Sequence, residues 1–220
     1  MFISIAIDGP AAAGKSTVAK IVAKRLGYVY IDTGAMYRAF TYAVIKAGLD
    51  PQNEQASCSL VGKVKIELTE DGRVICNGED VSKPIRENAV SSNVSYIASY
   101  KAIRLELINL QRELAAKQNV VMDGRDIGSY VLPNAQVKIF QIASVETRAK
   151  RRHDENLSKG IKTSLEEVEA NVRQRDYIDS HRDFDPLMKD KDAVELDTST
   201  MSIDEVVDAI LGIVKEKLGA

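Results

Sequence analysis

Short apolar runs alternate along this chain with longer segments in which apolar residues recur every three or four positions. Residues 2–7 (FISIAI) form the first run, which Asp-Gly ends, and this pattern predicts a buried parallel strand. Residues 15–27 show helical spacing and end in glycine, as helices often do. The same pair of patterns recurs at residues 28–32 and 35–48. The alternation predicts an α/β fold whose parallel sheet has helices on both faces.

Three later apolar runs, at residues 119–123, 137–143 and 194–198, predict three more strands and hence a five-stranded sheet. A serine followed three residues later by a glutamate marks the start of two further helices. The helices predicted in this part of the chain are residues 88–117 with a break near Ser99, residues 144–157, one from Ser164 with Glu167, and one from Ser202 with Glu205. We therefore expect three layers, with the sheet between two layers of helices.

Residues 62–82 depart from this alternation. The segments VKIEL and RVIC alternate apolar with polar residues, EDG separates them, and NGED follows as a second turn. Such a pattern predicts a small antiparallel hairpin, and we interpret residues 62–85, approximately, as an insertion into the α/β fold.

Composition and charge limit the function classes. A chain of 220 residues suits a single domain, residues 1–220, and its net charge of −2 argues against a nucleic-acid partner. No apolar run is long enough to cross a membrane, and the apolar N-terminus lacks the basic residues of a signal peptide. We therefore expect a cytoplasmic protein with no membrane partner. The two cysteines, Cys58 and Cys76, form no metal-binding pattern.

The segment GPAAAGKS fits the phosphate-loop pattern G-x-x-x-x-G-K-[ST], with a predicted strand before it and a predicted helix after it. Small residues let the backbone wrap a phosphate, and successive N–H groups and the helix N-terminus attract its charge. Lys15 is expected to reach the β- and γ-phosphates, and the Ser16 hydroxyl to ligate Mg²⁺. The residues predicted to hold ATP here are Gly9, Pro10, Ala11, Ala12, Ala13, Gly14, Lys15, Ser16 and Thr17.

The phosphate loop alone does not separate GTPases, ATP-driven motors and small-molecule kinases. The guanine-reading pattern Asn-Lys-x-Asp is absent from the sequence. The strand ending in Asp123 runs on into Gly-Arg-Asp, so Arg125 and Asp126 are predicted at the same edge of the sheet. An arginine at this edge suits a second anionic ligand better than a hydrolytic water. Asp8 and Asp32 also end strands here, and either a water-mediated Mg²⁺ contact or a simple turn explains them.

Arginines on later elements suggest an acceptor site and a lid. Arg38 and Arg125 could clamp a monophosphate, because guanidinium groups match phosphate oxygens. Spacings of four and three place Arg175, Asp179 and Arg182 on one helix face, for which the alternative is a solvated salt-bridged surface. The preceding helix adds Arg148, Arg151 and Arg152. Such a set suits a lid over transferring phosphates, since phosphoryl transfer needs positioning and charge neutralisation.

Together these residues closely resemble the bacterial cytidylate kinases, within the nucleoside monophosphate kinase family of P-loop kinases. The resemblance covers nearly the whole chain and includes IAIDGPAAAGKST, DTGAMYRA, SYIASYKAIR, DGRDIG, VKIFQIAS and RQRDYIDSHR. It implies the three-layer P-loop kinase fold, an acceptor-binding region at residues 33–117 and a helical, arginine-rich lid at residues 150–183. The implied reaction moves the γ-phosphoryl group of ATP, with Mg²⁺, to CMP or dCMP.

The resemblance also implies roles for particular residues. Lys15, Arg125 and Arg182 would be catalytic, and Arg152 would contact ATP. The residues implied to bind the acceptor nucleotide are Thr33, Arg38, Ser95, Arg104, Arg125, Asp126, Arg175, Asp179 and Arg182. Asp126 and Arg104 would recognise cytosine, because an aspartate accepts from N4 and an arginine donates to N3 and O2. Uracil leaves such groups unpaired, which predicts CMP and dCMP over UMP.

Three alternatives stay open. The chain could be a kinase of another small acceptor such as UMP, a nucleotide-binding regulatory switch, or an RNA-binding protein that uses the arginine-rich helices. The missing guanine-reading motif and the second anion site argue against the switch, and the net acidity argues against RNA. The resemblance favours a monomer.

Overall fold

In a computed structural model, residues 2–69, 71–158 and 160–219 of the chain are described, and within them eight strands form two sheets. The strands are β1 (Ser4–Asp8), β2 (Val29–Asp32), β3 (Ile66–Leu68), β4 (Val74–Cys76), β5 (Glu79–Asp80), β6 (Val120–Gly124), β7 (Val137–Ile142) and β8 (Val194–Asp197). The larger sheet has the order β2-β6-β1-β7-β8, and all its strands are parallel. The predicted five-stranded parallel sheet is confirmed.

Helices connect these strands, as the alternation predicts. They are α1 (Lys15–Leu26), α2 (Thr33–Lys46), α3 (Glu54–Cys58), α4 (Asn88–Ser91), α5 (Val94–Ile97), α6 (Lys101–Ala115), α7 (Val145–Ser158), α8 (Leu165–His181) and α9 (Ile203–Leu218). A short 3₁₀ turn at Pro84–Arg86 and a π-helical turn at Ile127–Val131 complete the fold. In the described part of the chain, no helix has both the length and the apolar content needed to cross a membrane.

The parallel sheet separates two apolar clusters. Along β1, Ile5 and Ile7 face a cluster with α1 and α9, whereas Ala6 faces a cluster with α2 and α6. Neighbouring side chains on a strand point to opposite faces, so a strand covered by helices on both sides must be apolar throughout. This explains why the predicted strands were continuous apolar runs, and it gives the three predicted layers.

Two helix ends and the form of the insertion differ from the prediction. Helix α2 begins at Thr33 and not at residue 35, because the Asp32 side chain accepts a hydrogen bond from the Ala35 amide (2.7 Å) and caps the helix. The insertion is a three-stranded sheet and not a hairpin, since Glu79 and Asp80, expected in a turn, pair with β4. Helix α8 ends at His181, so Arg182 lies just beyond it in extended backbone.

Other predicted signals are confirmed. The helical region 88–117 is broken at residues 98–100, around the expected Ser99, and a second break that was not predicted lies at residues 92–93. Both capping boxes form: Ser164 caps α8 with Glu167, and Ser202 caps α9 with Glu205. Helices α7 and α8 pack against each other beside the phosphate loop and are called the lid hairpin below, although their role as a lid stays a prediction.

Candidate active site

The carboxyl ends of the parallel strands open into a cavity of about 650 Å³. Strand β1, in the middle of the sheet, runs directly into the segment 9–14, which wraps back into α1. Gly9 has a φ of 148°, and a Cβ there would lie 2.0 Å from the Gln141 carbonyl oxygen. No other residue fits at that point, so the sharp turn from strand to loop requires the glycine. The predicted phosphate loop is therefore formed, and its residues 12–17 line the cavity.

Lys15 lies buried inside this loop. Its Nζ donates to the carbonyl oxygens of Gly9 and Pro10, each at 2.7 Å. Burial, together with the nearby Arg125 guanidinium, lowers the pKa of Lys15 to about 7. A phosphate in the loop would reverse that shift, because an anion favours the charged ammonium. The structure thus holds this lysine where an anionic ligand stabilises it.

Asp123, at the end of β6, lines the site although the sequence analysis assigned it no role. Its carboxylate accepts hydrogen bonds from the Ser16 hydroxyl and the Tyr30 hydroxyl, each at 2.8 Å. Burial raises the pKa of Asp123 to about 6, and the neighbouring Asp32 adds to the effect. The available signal was an acidic residue ending a buried strand, which the sequence shows at 119–123. Its contact with Ser16 depends on β6 lying beside β1, which only the sheet order reveals.

Asp8 and Asp32 bind backbone and side-chain partners outside the phosphate loop, unlike Asp123. The Asp8 carboxylate accepts from the backbone N–H groups of Ile127 and Gly128, each at 2.8 Å, and so holds the π-helical turn. Asp32 caps α2 and forms an ion pair with Arg38 (3.2 Å). Asp32 matches the interpretation as a local turn former, whereas Asp8 stabilises a turn distant in sequence. A water-mediated contact of either residue with Mg²⁺ stays a prediction.

A buried cluster of charges forms the far side of the cavity. Asp126 accepts from Arg104 through one carboxylate oxygen (2.5 Å) and from Arg182 through the other (3.1 Å). Arg104 is fully buried on α6, and it also donates to the Ala98 carbonyl oxygen (3.1 Å). Ser95, on α5, is buried and lines the same cavity. The structure brings together Asp126, Arg104 and Ser95, which the resemblance assigned to base recognition, and adds Arg182, which was expected near the phosphates.

Arg125 and Asp179 link the sheet edge to the lid. The Arg125 Nε donates to Asp179 at 2.8 Å. Burial alone would raise the pKa of Asp179, but three guanidinium groups outweigh it and hold that pKa below its usual range. These groups belong to Arg125, Arg175 and Arg182. Asp179 is therefore a charged carboxylate within a cluster that has an excess of arginine.

Three arginines that line the cavity have bonding capacity left. The Nε atoms of Arg38, Arg104 and Arg175 are buried and have no hydrogen-bond partner among the described residues. Burial and the nearby Arg125 lower the pKa of Arg175 to about 10. A buried guanidinium in this state favours an anionic partner. Thr33, by contrast, donates its hydroxyl to the Asp123 carbonyl oxygen (2.7 Å), and its predicted contact with the acceptor stays a prediction.

The remaining arginines of the lid divide into two groups. Arg152 lines the cavity and pairs with Glu155 at 3.0 Å, which leaves its predicted contact with ATP as a prediction. Arg148 and Arg151 instead donate to carbonyl oxygens of the phosphate loop, at Ala11 (3.0 Å) and Ala13 (3.3 Å). These two were expected above the phosphates, but the structure shows them holding the loop backbone.

A phosphate loop after the central strand of a parallel sheet, with a second cationic site opposite, defines the chain as a P-loop kinase. Solved structures of similar fold include a gluconokinase from Sinorhizobium meliloti 1021 (TM-score 0.52, 15% identity, covering 99% of this chain and 94% of that one). Another is an uncharacterized protein from Eubacterium ventriosum ATCC 27560 (TM-score 0.54, 14% identity, covering 98% and 99%). At such identities the likeness shows the fold alone.

Sequence comparison is more specific. The model of the cytidylate kinase family matches residues 5–216. Cytidylate kinases of Bacillus thuringiensis (strain Al Hakam) and Bacillus cereus (strain AH187) are each 55% identical to this chain over 215 residues, covering 96% of this chain and 96% of each relative. The chain belongs to the cytidylate kinase family and is an ATP-dependent nucleoside monophosphate kinase.

Proposed function

We propose that the chain transfers the γ-phosphoryl group of ATP to CMP or dCMP and releases ADP with CDP or dCDP. The observation that carries this proposal is the buried Asp126, held between Arg104 and Arg182 in the cavity that also contains the phosphate loop. A carboxylate fixed in this way can accept from an amino group. Cytosine offers an amino group at this edge and uracil offers a carbonyl oxygen.

Base selectivity follows from which groups are left unpaired. A carboxylate has about four acceptor sites, so Asp126 can accept from cytosine N4 while both arginines stay bound. Uracil would place its O4 against that carboxylate, and two acceptors in contact leave each other unsatisfied. Ser95 and Arg104 then supply donors for N3 and O2. Uracil is therefore disfavoured by the free-energy cost of unpaired buried groups, in addition to the loss of a hydrogen bond.

The phosphate chemistry needs no nucleophilic side chain. The attacking oxygen belongs to the acceptor's own phosphate, which is largely dianionic at neutral pH because its second pKa is about 6. Catalysis then consists of bringing two anionic groups into line and neutralising their charge. Lys15 would bind the donor phosphates, whereas Arg38, Arg125 and Arg175 would bind the acceptor phosphate. Arg182 contacts Asp126 here, and its predicted catalytic role is part of the proposal.

Ser16 and Asp123 fit a Mg²⁺ ion. Their hydroxyl and carboxylate oxygens lie 2.8 Å apart at the mouth of the loop, and Mg²⁺ prefers such oxygen donors, with phosphate oxygens and waters as its other ligands. When bound, the ion would neutralise charge on the transferring phosphate. Asp123 would have to ionise fully, which a cation beside it favours.

The lid helices α7 and α8 lie beside both halves of the cavity. A lid that covers transferring phosphates keeps water from competing with the acceptor and so prevents wasteful ATP hydrolysis. The division into an acceptor-binding region at residues 33–117 and a lid at 150–183 belongs to this proposal. So do a cytoplasmic location and a monomeric state, the latter testable by light scattering.

ADP release from MgATP tests the proposal directly, with CMP, dCMP, UMP, dTMP, AMP, shikimate or no acceptor. We expect turnover with CMP and dCMP, and a rate with UMP that is lower by about tenfold or more at sub-saturating concentration, because uracil leaves buried polar groups of the site unpaired. Equal rates with CMP and UMP would contradict the role of Asp126. Turnover with none of these acceptors would contradict the proposed function.

A further inference from the structure

One carboxylate of the lid touches the backbone of the phosphate loop. Asp176, on α8, accepts a hydrogen bond from the Ala11 backbone N–H at 3.0 Å through its Oδ1. Its neighbour in sequence, Arg175, lines the acceptor side of the cavity. Successive residues of one helix therefore reach the two halves of the site.

Arg148 completes this contact from α7. Its Nη1 pairs with the Asp176 Oδ2 (2.5 Å) and donates to the Ala11 carbonyl oxygen (3.0 Å). Its Nε donates to the carbonyl oxygen of Ala143 (2.8 Å), which anchors the guanidinium to the end of β7. Both polar backbone atoms of Ala11 are thus held by a single ion pair, of which Arg148 is almost fully buried.

The next residue shows why the loop needs such support. Ala12 has a φ of 59°, a left-handed conformation that costs free energy for any residue with a Cβ. Its methyl group packs against a small apolar cluster of the lid hairpin, which contains Ala149, Val168 and Val172. A strained residue persists only where its surroundings determine its position, and here those surroundings come from α7 and α8.

We infer that Asp176 and Arg148 form a positioning pair that holds the phosphate loop in its ATP-binding conformation. The inference rests on the proposed use of this loop for ATP, and it gives α7 and α8 a role in shaping the donor site. Charge alone predicts that Asp176 weakens ATP binding, because a carboxylate repels a nearby triphosphate. If Asp176 only contributed charge, its removal would tighten ATP binding.

Calorimetric titration with MgATP, without any acceptor, separates these possibilities. We expect Asp176→Ala to weaken ATP binding about tenfold, the size expected for a charge-assisted hydrogen bond. Asp176→Asn should weaken it about threefold, because asparagine keeps an oxygen for the Ala11 N–H but loses the ion pair. Arg148→Met should resemble Asp176→Ala. The matched control is Glu169→Gln, which removes an exposed ion pair on the same helix and should change nothing.

A second measurement excludes general damage to the fold. Hydrogen exchange of the Ala11 amide should be faster in Asp176→Ala, while the affinity for CMP stays within about twofold, since the pair does not touch the acceptor side. Unchanged or tighter ATP binding in both Asp176 variants would overturn the inference, and so would an equal loss of ATP and CMP affinity. If Asp176→Ala does not fold, Asp176→Asn decides by the same criteria. Wild-type protein that binds ATP but does not phosphorylate CMP would refute the proposed acceptor and leave these titrations decisive.

Discussion

The two halves of the cavity are built in different ways. The donor half is one continuous segment, residues 9–17, whose binding groups are mainly backbone N–H groups together with Lys15. The acceptor half takes side chains from α2, α5, α6, α8 and the segment that follows β6. Backbone groups recognise a phosphate whatever is attached to it, whereas side chains placed around a base can distinguish one base from another. We therefore expect the donor half to bind phosphates in general and the acceptor half to determine which base is accepted.

Charge differs between the halves as well. On the donor side, burial raises the pKa of Asp8 to about 7 and that of Asp123 to about 6. On the acceptor side, arginines hold the pKa of Asp179 below its ordinary value despite its burial. The donor half therefore holds carboxyl groups whose ionisation is opposed by burial, whereas the acceptor half holds an ionised carboxylate among an excess of arginines.

The largest expected effect comes from breaking the donor half. Lys15→Ala should lower kcat by about 10³-fold with every acceptor, because it removes the buried cation that stabilises the transferring phosphate. Steady-state rates with CMP and dCMP measure this. The CMP-binding affinity of the variant serves as a control, and a kcat within tenfold of wild type would contradict the role of Lys15.

Breaking the acceptor half should change selectivity as well as rate. Asp126→Asn is expected to lower kcat/KM for CMP by about 100-fold, since it removes the charged acceptor for N4 and the closest counter-charge of two buried arginines, Arg104 and Arg182. Its amide can donate to uracil O4, so the preference for CMP over UMP should narrow. Competition between the two nucleotides measures the ratio, with thermal unfolding as a control. An unchanged ratio would exclude Asp126 from base recognition.

The charge contrast predicts how stability depends on pH. The unfolded chain loses the Asp8 proton near pH 3.8 and the folded chain near 7, so the free energy of unfolding falls as pH rises between these values. Burial and the nearby Arg125 lower the pKa of Lys15 from 10.5 to about 7, so stability rises again between those values. These donor-side groups give a minimum near pH 7.

Urea unfolding across pH 5 to 9 tests this minimum. Lys15→Met should reduce the slope of unfolding free energy between pH 7 and 9 by up to about 1.4 kcal/mol per pH unit, the value for one proton. Asp179 contributes in the direction opposite to Asp8, because its lowered pKa stabilises the fold above pH 3.8 and that stability is lost on acidification. An unchanged slope in Lys15→Met would contradict the lowered pKa.

The smallest expected effect comes from removing one hydroxyl group, that of Ser95, from the acceptor half. The Ser95 hydroxyl makes no hydrogen bond to the described residues, although the side chain is buried and lines the cavity. Ser95→Ala should therefore leave the fold intact and raise KM for CMP about fivefold, with KM for ATP unchanged. Equal KM values for CMP in both proteins would remove Ser95 from the base site.

The same comparison shows how much the sequence could predict. The phosphate loop was predicted residue by residue, because its binding groups are adjacent in the chain and its pattern includes the flanking strand and helix. Arg148 and Arg151 were identified only as lid arginines, and their bonds to loop carbonyl oxygens were not predicted. Asp123 was not assigned, because its partner Ser16 lies 107 residues away and meets it only across paired strands.

By itself, the sequence determined the alternation of strands and helices, both capping boxes and the donor loop, since each depends on interactions between residues close in the chain. The family resemblance added the acceptor residues as a set. Only the tertiary structure decided how that set is connected: Asp126 between Arg104 and Arg182, Asp179 with Arg125, and Asp176 with Ala11. These contacts join residues 22 to 165 positions apart. Local periodicity contains no information about such pairs, which depend on strand order and on where the lid hairpin packs.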